Sequence, residues 1–369
     1  MNHPAPHEAL PAAAQKALQG APPLRMMVAR GMAPLPPVAL VSALYALSYD
    51  EDEKLSSAAR ASIDKLPPAV LEGALTSAEL SGVVLDGLSL RLGGREGFLE
   101  RVIQHPSVSH ETVERIAAHA NEALCELITT NEQRMLEHPA IIEALYMNRA
   151  LRMSTADRIV ELAARNNVEL GIPAYKEIVA ALQDQLIPEA GESTPSDDFF
   201  REAIAEAEEI EREGDEDVVD RDEEGQEALK ENFKKVEKRL IDMTISEKIR
   251  VAMIGTPSQR ALLVRSSNRV VAMAAIGSPK MGEAEAASIA ASRSVGEDIL
   301  RFVANKRDWI KMYRVKVNLV FNPKTPVGAS LKLVMHMRES ELKLLSRSKN
   351  VPQALKTAVT QLLEKRSQK

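Results

Sequence analysis

Histidines, one cysteine and several acidic clusters are the residues of this chain from which chemistry could be built. His105, His110, His119 and His138 invite a metal, but none has a second ligand at i+4 on a carboxylate-rich helix, as a zinc-protease site requires. His105 and His138 each stand immediately before a proline, where an imidazolium suits a helix C-terminus. Capping is the expectation, and no metal is assigned. Cys125 lies in Ala123-Leu-Cys-Glu-Leu-Ile, an apolar helix face on which a buried thiol is inert. As the sole cysteine it excludes an intramolecular disulfide and a cysteine-ligated cluster. Gly93-Gly94-Arg95-Glu96-Gly97 lacks the Lys-Ser/Thr of a phosphate-cradling loop and follows no strand, so it is a loop. Ser266, Ser267 and Asn268 end a helix. The carboxylates of 202–227 are dense, but flexible acids cannot hold acid–base geometry. No catalytic set and no cofactor site emerges, and the chain is expected not to be an enzyme.

The basic residues near the C-terminus offer binding rather than catalysis. Arg307, Lys311 and Arg314 fall at i, i+4 and i+7, one face of a continuous helix, with Arg301, Lys316 and Lys324 close in sequence. Trp309 and Tyr313 share a stripe beside them. Bases with aromatics could track phosphates and stack nucleobases. Alternatively, Trp309, Tyr313 and Val317 pack inward and the bases form a wet face for water or an acidic protein. The expected binding face is therefore Arg307, Lys311, Arg314, Lys316 and Lys324. Charge is distributed unevenly along the chain. Residues 230–369 hold 28 Lys and Arg against 12 Asp and Glu, a net of +16, whereas 191–229 hold 17 acids and 3 bases, a net of −14. Such asymmetry suggests a polyanionic or acidic partner, or an internal acidic tail.

The elements that must position these residues are read from a recurring pattern, an apolar helix ending in a polar-Pro step. It appears as Arg250-Val-Ala-Met-Ile-Gly-Thr-Pro257, Ala272-Met-Ala-Ala-Ile-Gly-Ser-Pro279 and Lys316-Val-Asn-Leu-Val-Phe-Asn-Pro323. Leu99-Glu-Arg-Val-Ile-Gln-His-Pro106 and Glu132-Gln-Arg-Met-Leu-Glu-His-Pro139 follow the same rule. Proline cannot continue the helix before it but fits the first turn of the next. Each copy is thus a helix, a break and a new helix, and stacked copies bury what one pair cannot. Aromatic residues are only 3% of the chain, so small aliphatics supply the core, which favours closely spaced helices over sheets. No run of about 18 apolar residues is present, and no basic-then-apolar leader, so a cytoplasmic protein without membrane insertion is expected.

The predicted fold is all-α, an α-solenoid of short irregular helix pairs in two arrays joined by an acidic linker. Residues 1–23 are a poorly ordered lead-in, 24–190 the first array, 191–229 the linker and 230–369 the basic second array. The helix at 155–166 closes the first array, where Arg149 replaces the repeat proline and the pattern degenerates. Within the linker a solvated helix is expected near 198–212, on a weak stripe of Ala203, Ile204, Ala207 and Ile210, with disorder at 214–217 and 220–225. Residues 227–240 form an amphipathic helix on Leu229, Phe233, Val236 and Leu240.

Lys316-Val-Asn-Leu-Val-Phe-Asn-Pro-Lys-Thr-Pro326 resembles a leucine-rich-repeat-variant unit within the HEAT-like, ARM-type class. The likeness is best over 245–355 and weaker over 95–165, and Gly-Thr-Pro257 and Gly-Ser-Pro279 depart from its Asn-Pro form. The whole chain is also similar to a group of bacterial helical-repeat proteins. The resemblance implies fold, not activity. The iron–sulfur cluster carried by some variant-repeat proteins would need clustered cysteines, which one cysteine cannot supply. The function expected is a non-catalytic protein-interaction scaffold or adaptor. The alternative is a helical-repeat protein that binds nucleic acid through its basic array.

Overall fold

The computed structural model describes residues 6–182, 195–212, 218–221, 227–348 and 351–367. The described chain is all-α apart from one short hairpin, with 25 α-helices in sequence. Every polar-Pro step interrupts a helix as expected. Helices Phe98–Gln104, Glu132–Glu137, Ile245–Ile254, Arg269–Ile276 and Tyr313–Phe321 end just before Pro106, Pro139, Pro257, Pro279 and Pro323. Pro257, like Pro22, Pro37 and Pro68, opens the next helix, where its missing N–H costs nothing. Side chains of Ser109, Asn121, Thr244 and Asn268 accept from backbone N–H groups at other helix starts. No described helix is long and apolar enough to cross a membrane.

Cα proximity divides the chain into two compact units, Met1–Leu151 and Arg152–Lys369. This differs from the boundaries read at 190 and 229. Helix Met153–Arg165, expected to close the first array, packs in the second unit against Tyr175–Leu182 and Pro195–Arg212. The Pro195–Arg212 helix was expected as a solvated part of the linker. It instead buries Phe200, Ala203, Ile204 and Ala207, an i, i+3, i+4, i+7 set that needs a packing partner. Of the residues where disorder was expected, 214–217 and 222–225 lie outside the described residues, but Asp220 and Arg221 are in a strand. Val219–Arg221 pairs antiparallel with Glu227–Leu229. The expected helix over 227–240 therefore begins later, at Lys234–Asp242, after a 3-10 turn at Glu231–Phe233. Glu227 is drawn out of helical register because its Oε2 accepts from Ser292 Oγ at 2.6 Å and Ser294 Oγ at 2.5 Å.

The N-terminal lead-in is also structured from residue 6 onward. Helices Ala12–Leu18 and Pro22–Ala29 form there, and Leu10, Ala14 and Ala17 are buried. Ala12–Leu18 packs on Pro37–Leu47, which in turn packs on Pro68–Leu75. The alternate helices Pro22–Ala29 and Glu53–Asp64 also meet. In the second unit Ile245–Ile254 packs on Arg269–Ile276, and that helix on Glu297–Asn305, while Pro257–Leu263 meets Glu283–Ala291. Next-but-one helices thus meet in both units, alongside third-neighbour packings such as His110–Ala117 on Ala140–Tyr146 and Glu283–Ala291 on Tyr313–Phe321.

A buried asparagine ties successive pairs together. Asn322, at the Asn-Pro step, donates through Nδ2 to the Ala290 and Ser292 carbonyls at 2.9 and 2.7 Å, while its Oδ1 accepts from Lys324 N at 3.0 Å. Asn148, in the stretch read as degenerate, does the same. Its Nδ2 donates to Ala117 and Ala120 carbonyls, both at 2.8 Å, and its Oδ1 accepts from Ala150 N at 2.8 Å. Between these two sites the asparagine, not the proline, is the shared feature. His105 follows the same plan with an imidazole, Nδ1 accepting from Ser107 N and Nε2 facing the Ser77 carbonyl, each at 3.1 Å. Asn322→Ala is expected to lower stability by about 1–3 kcal/mol, because buried carbonyls lose their donor. Asn322→Asp should be worse at neutral pH, since a carboxylate would face two carbonyl oxygens. Denaturant melts of the two variants check this order.

Candidate interaction surface

The five bases expected to share a face are distributed over three elements. Arg307 and Lys311 lie on the short helix Arg307–Lys311, Arg314 and Lys316 on Tyr313–Phe321, and Lys324 in the turn after it. The continuous helix assumed for Arg307, Lys311 and Arg314 is broken at Met312, whose ψ of 125° is extended. The i, i+4, i+7 face is thereby corrected: the break separates Arg314 from Arg307 and Lys311. Arg314 and Lys316, two residues apart on one helix, point to nearly opposite sides. Lys311 is engaged by Asp308 at 2.8 Å, and that carboxylate holds its ammonium above the ordinary lysine range.

The aromatics are committed to the interior or to side-chain partners. Trp309 is 4% exposed, meets Phe302 edge-on at 6.2 Å, and has the Lys306 ammonium 3.9 Å over its ring centroid. Tyr313 donates its hydroxyl to Glu341, accepts from Arg338 N at 2.8 Å, and carries the Arg338 guanidinium over its ring. Burial, followed by the Glu341 hydrogen bond, pushes the Tyr313 hydroxyl above the ordinary tyrosine range. Val317 is half-buried on the helix that Tyr313 begins. Trp309 and Tyr313 therefore belong to separate helices rather than to one stripe.

A different surface takes the place of that face. Residues 309–338 contain six Lys and Arg and no Asp or Glu. They include Tyr313–Phe321 and Val327–Val334, two helices packed on each other. On the second helix Ser330, Leu333 and Val334 are buried, whereas Val327, Leu331 and Met335 are 37%, 36% and 58% exposed. Their i, i+4, i+8 spacing makes them one ridge on the outer side of the helix. Lys324 and Lys332 are exposed beside it, and like Arg307, Arg314 and Lys316 they have no acidic partner among the described residues. Gly328 lies next to the ridge on an exposed stretch of helix, and a Cβ added there would meet nothing within 4 Å. The apolar spacing at 327, 331 and 335 was readable in the sequence, but it has the same form as a core stripe.

The residues weighed for chemistry have structural partners. Cys125 is buried, and Asn148 Nδ2 points to its Sγ at 3.5 Å. His138 Nε2 meets Glu114 at 2.7 Å, and the His110 and His138 rings touch edge-on at 5.7 Å. No group of three or more His, Cys, Asp or Glu among the described residues could hold a metal ion. Asp157 is a strongly perturbed carboxyl: burial away from water pushes it up to about 7, although Ser246 Oγ donates to it at 2.7 Å and Arg250 lies near. Comparison with known proteins returned no matching family model, no matching curated protein and no matching solved structure.

Proposed function

We propose that this chain is a non-catalytic protein-interaction scaffold or adaptor, an α-solenoid of HEAT-like, ARM-type helical repeats working in the cytoplasm, and that its second unit binds a protein partner. The next-but-one helix pairing and the asparagine ties at Asn148 and Asn322 support the repeat reading. The observation that carries the binding reading is the apolar ridge Val327, Leu331 and Met335 inside an acid-free basic segment. Phosphates would engage the lysines and leave the ridge in water, whereas a protein surface can cover both. The nucleic-acid reading also loses its stacking platform, with Trp309 buried and Tyr313 held by Glu341 and Arg338.

A photo-reactive amino acid in place of Met335, in the full chain, tests the proposal. Irradiation in cell extract is expected to yield a discrete protein adduct that persists after nuclease treatment. Adducts that disappear with nuclease, or a preparation that turns over a substrate with a defined active-site residue, would remove the scaffold assignment.

A further inference from the structure

The second unit already contains one helix seated by a particular combination of forces. The Pro195–Arg212 helix turns Phe200, Ala203, Ile204 and Ala207 inward. Its acidic side is anchored at the same time. Glu202 and Glu206 each reach Arg239 at 3.4 Å, and Glu211 accepts from Ser258 N at 2.7 Å. Apolar burial supplies the area and the acid contacts fix the orientation. The Val327–Val334 helix offers the same ingredients with no occupant among the described residues. Its ridge of Val327, Leu331 and Met335 is exposed, Gly328 beside it carries no side chain and faces open space, and Lys324 and Lys332 are exposed and without acidic partners among the described residues.

We infer that this ridge docks an acidic amphipathic helix of a partner protein, a conclusion that rests on the scaffold reading above. An i, i+4, i+8 ridge fits the groove between the ridges of another helix. Gly328, having no side chain, lets that helix approach closely, and the lysines select acidic flanks. The acid-free segment sets the sign: a basic amphipathic helix would be repelled by every charge on residues 309–338.

The test uses the full chain and a fluorescent synthetic helix with leucine on one face and glutamate on the other, with a lysine-for-glutamate version as control. Anisotropy is expected to show binding of the acidic peptide, weakening as salt rises, and none of the basic one. Leu331→Glu should lower affinity at least about tenfold. Gly328→Leu should lower affinity while leaving the melting temperature unchanged or higher, because its side chain blocks close approach, its Cβ meets nothing within 4 Å and leucine favours the helix. The Gly328 variant keeps the result interpretable if Leu331→Glu perturbs folding. Equal binding of both peptides, or no effect of Gly328→Leu, overturns the inference. So does a concentration-dependent dimer, seen by light scattering, that Leu331→Glu abolishes, since a second copy would then be the occupant. A photo-crosslinked protein at Met335 whose yield ignores Gly328→Leu would sink this inference and leave the scaffold reading standing. Absence of any protein adduct would sink the scaffold reading itself.

Discussion

Trp309→Ala should destabilise the second unit by about 3–5 kcal/mol, the cost of removing a large ring from a packed site. The five-residue helix that carries Trp309 has little stability of its own, because so short a segment barely repays its nucleation. It is held by the ring's edge contact with Phe302 and by the Lys306 ammonium over its face. Trp309→Phe keeps the edge contact and should recover much of the loss. By calorimetry, the alanine variant should lower the melting temperature of the affected transition by on the order of 10 °C. An unchanged melt would mean the indole does not pack as described, and stacking on a ligand would regain its place.

Glu285→Ala should cost a similar amount, about 3–5 kcal/mol, for a different reason. The Arg260 side chain is 4% exposed and Glu285 18%. The guanidinium donates to both carboxylate oxygens, at 2.9 and 3.1 Å, and its Nη1 donates to the Gly255 carbonyl at 2.8 Å. Glu285 also accepts from Gly282 N at 2.8 Å, capping the Glu283–Ala291 helix. Truncating the acid strands a buried cation and frays a helix start together. Breaking one side of a buried pair is costly, whereas replacing both partners with apolar groups is near neutral. The double change Arg260→Met with Glu285→Leu is therefore expected to be more stable than Glu285→Ala alone. Chemical denaturation of the three proteins decides it, and a double variant no better than Glu285→Ala would show that the pair contributes more than its desolvation costs.

The helical class and the helix breaks were legible because proline acts locally. Pro257 and Pro323 interrupt the chain whatever surrounds them. The break at Met312 was not legible, since Lys311-Met312-Tyr313 carries no glycine, proline or capping residue. There Trp309 turns to Phe302 while Tyr313 turns to Glu341, and tertiary contacts override the local helical preference. The packing of 195–212 was hidden by its charge. Counting Phe200 with Ala203, Ile204 and Ala207 completes the buried face that the acids mask. For the interaction surface, the bases were found but not their grouping. The exposed ridge at Val327, Leu331 and Met335 resembles a core stripe in sequence, and only the absence of a covering neighbour among the described residues distinguishes the two.

The asparagine ties have a consequence for how the protein is made. Asn148 reaches back 31 and 28 residues, and Asn322 reaches back 32 and 30. A span near 30 in a chain of 369 residues keeps each tie local on the scale of the chain. The carbonyl that receives each tie is always translated before the asparagine that donates to it. At about 5–20 residues per second, the wait between the two is a few seconds. The ties at Asn148 and Asn322 can therefore close while the ribosome is still extending the chain.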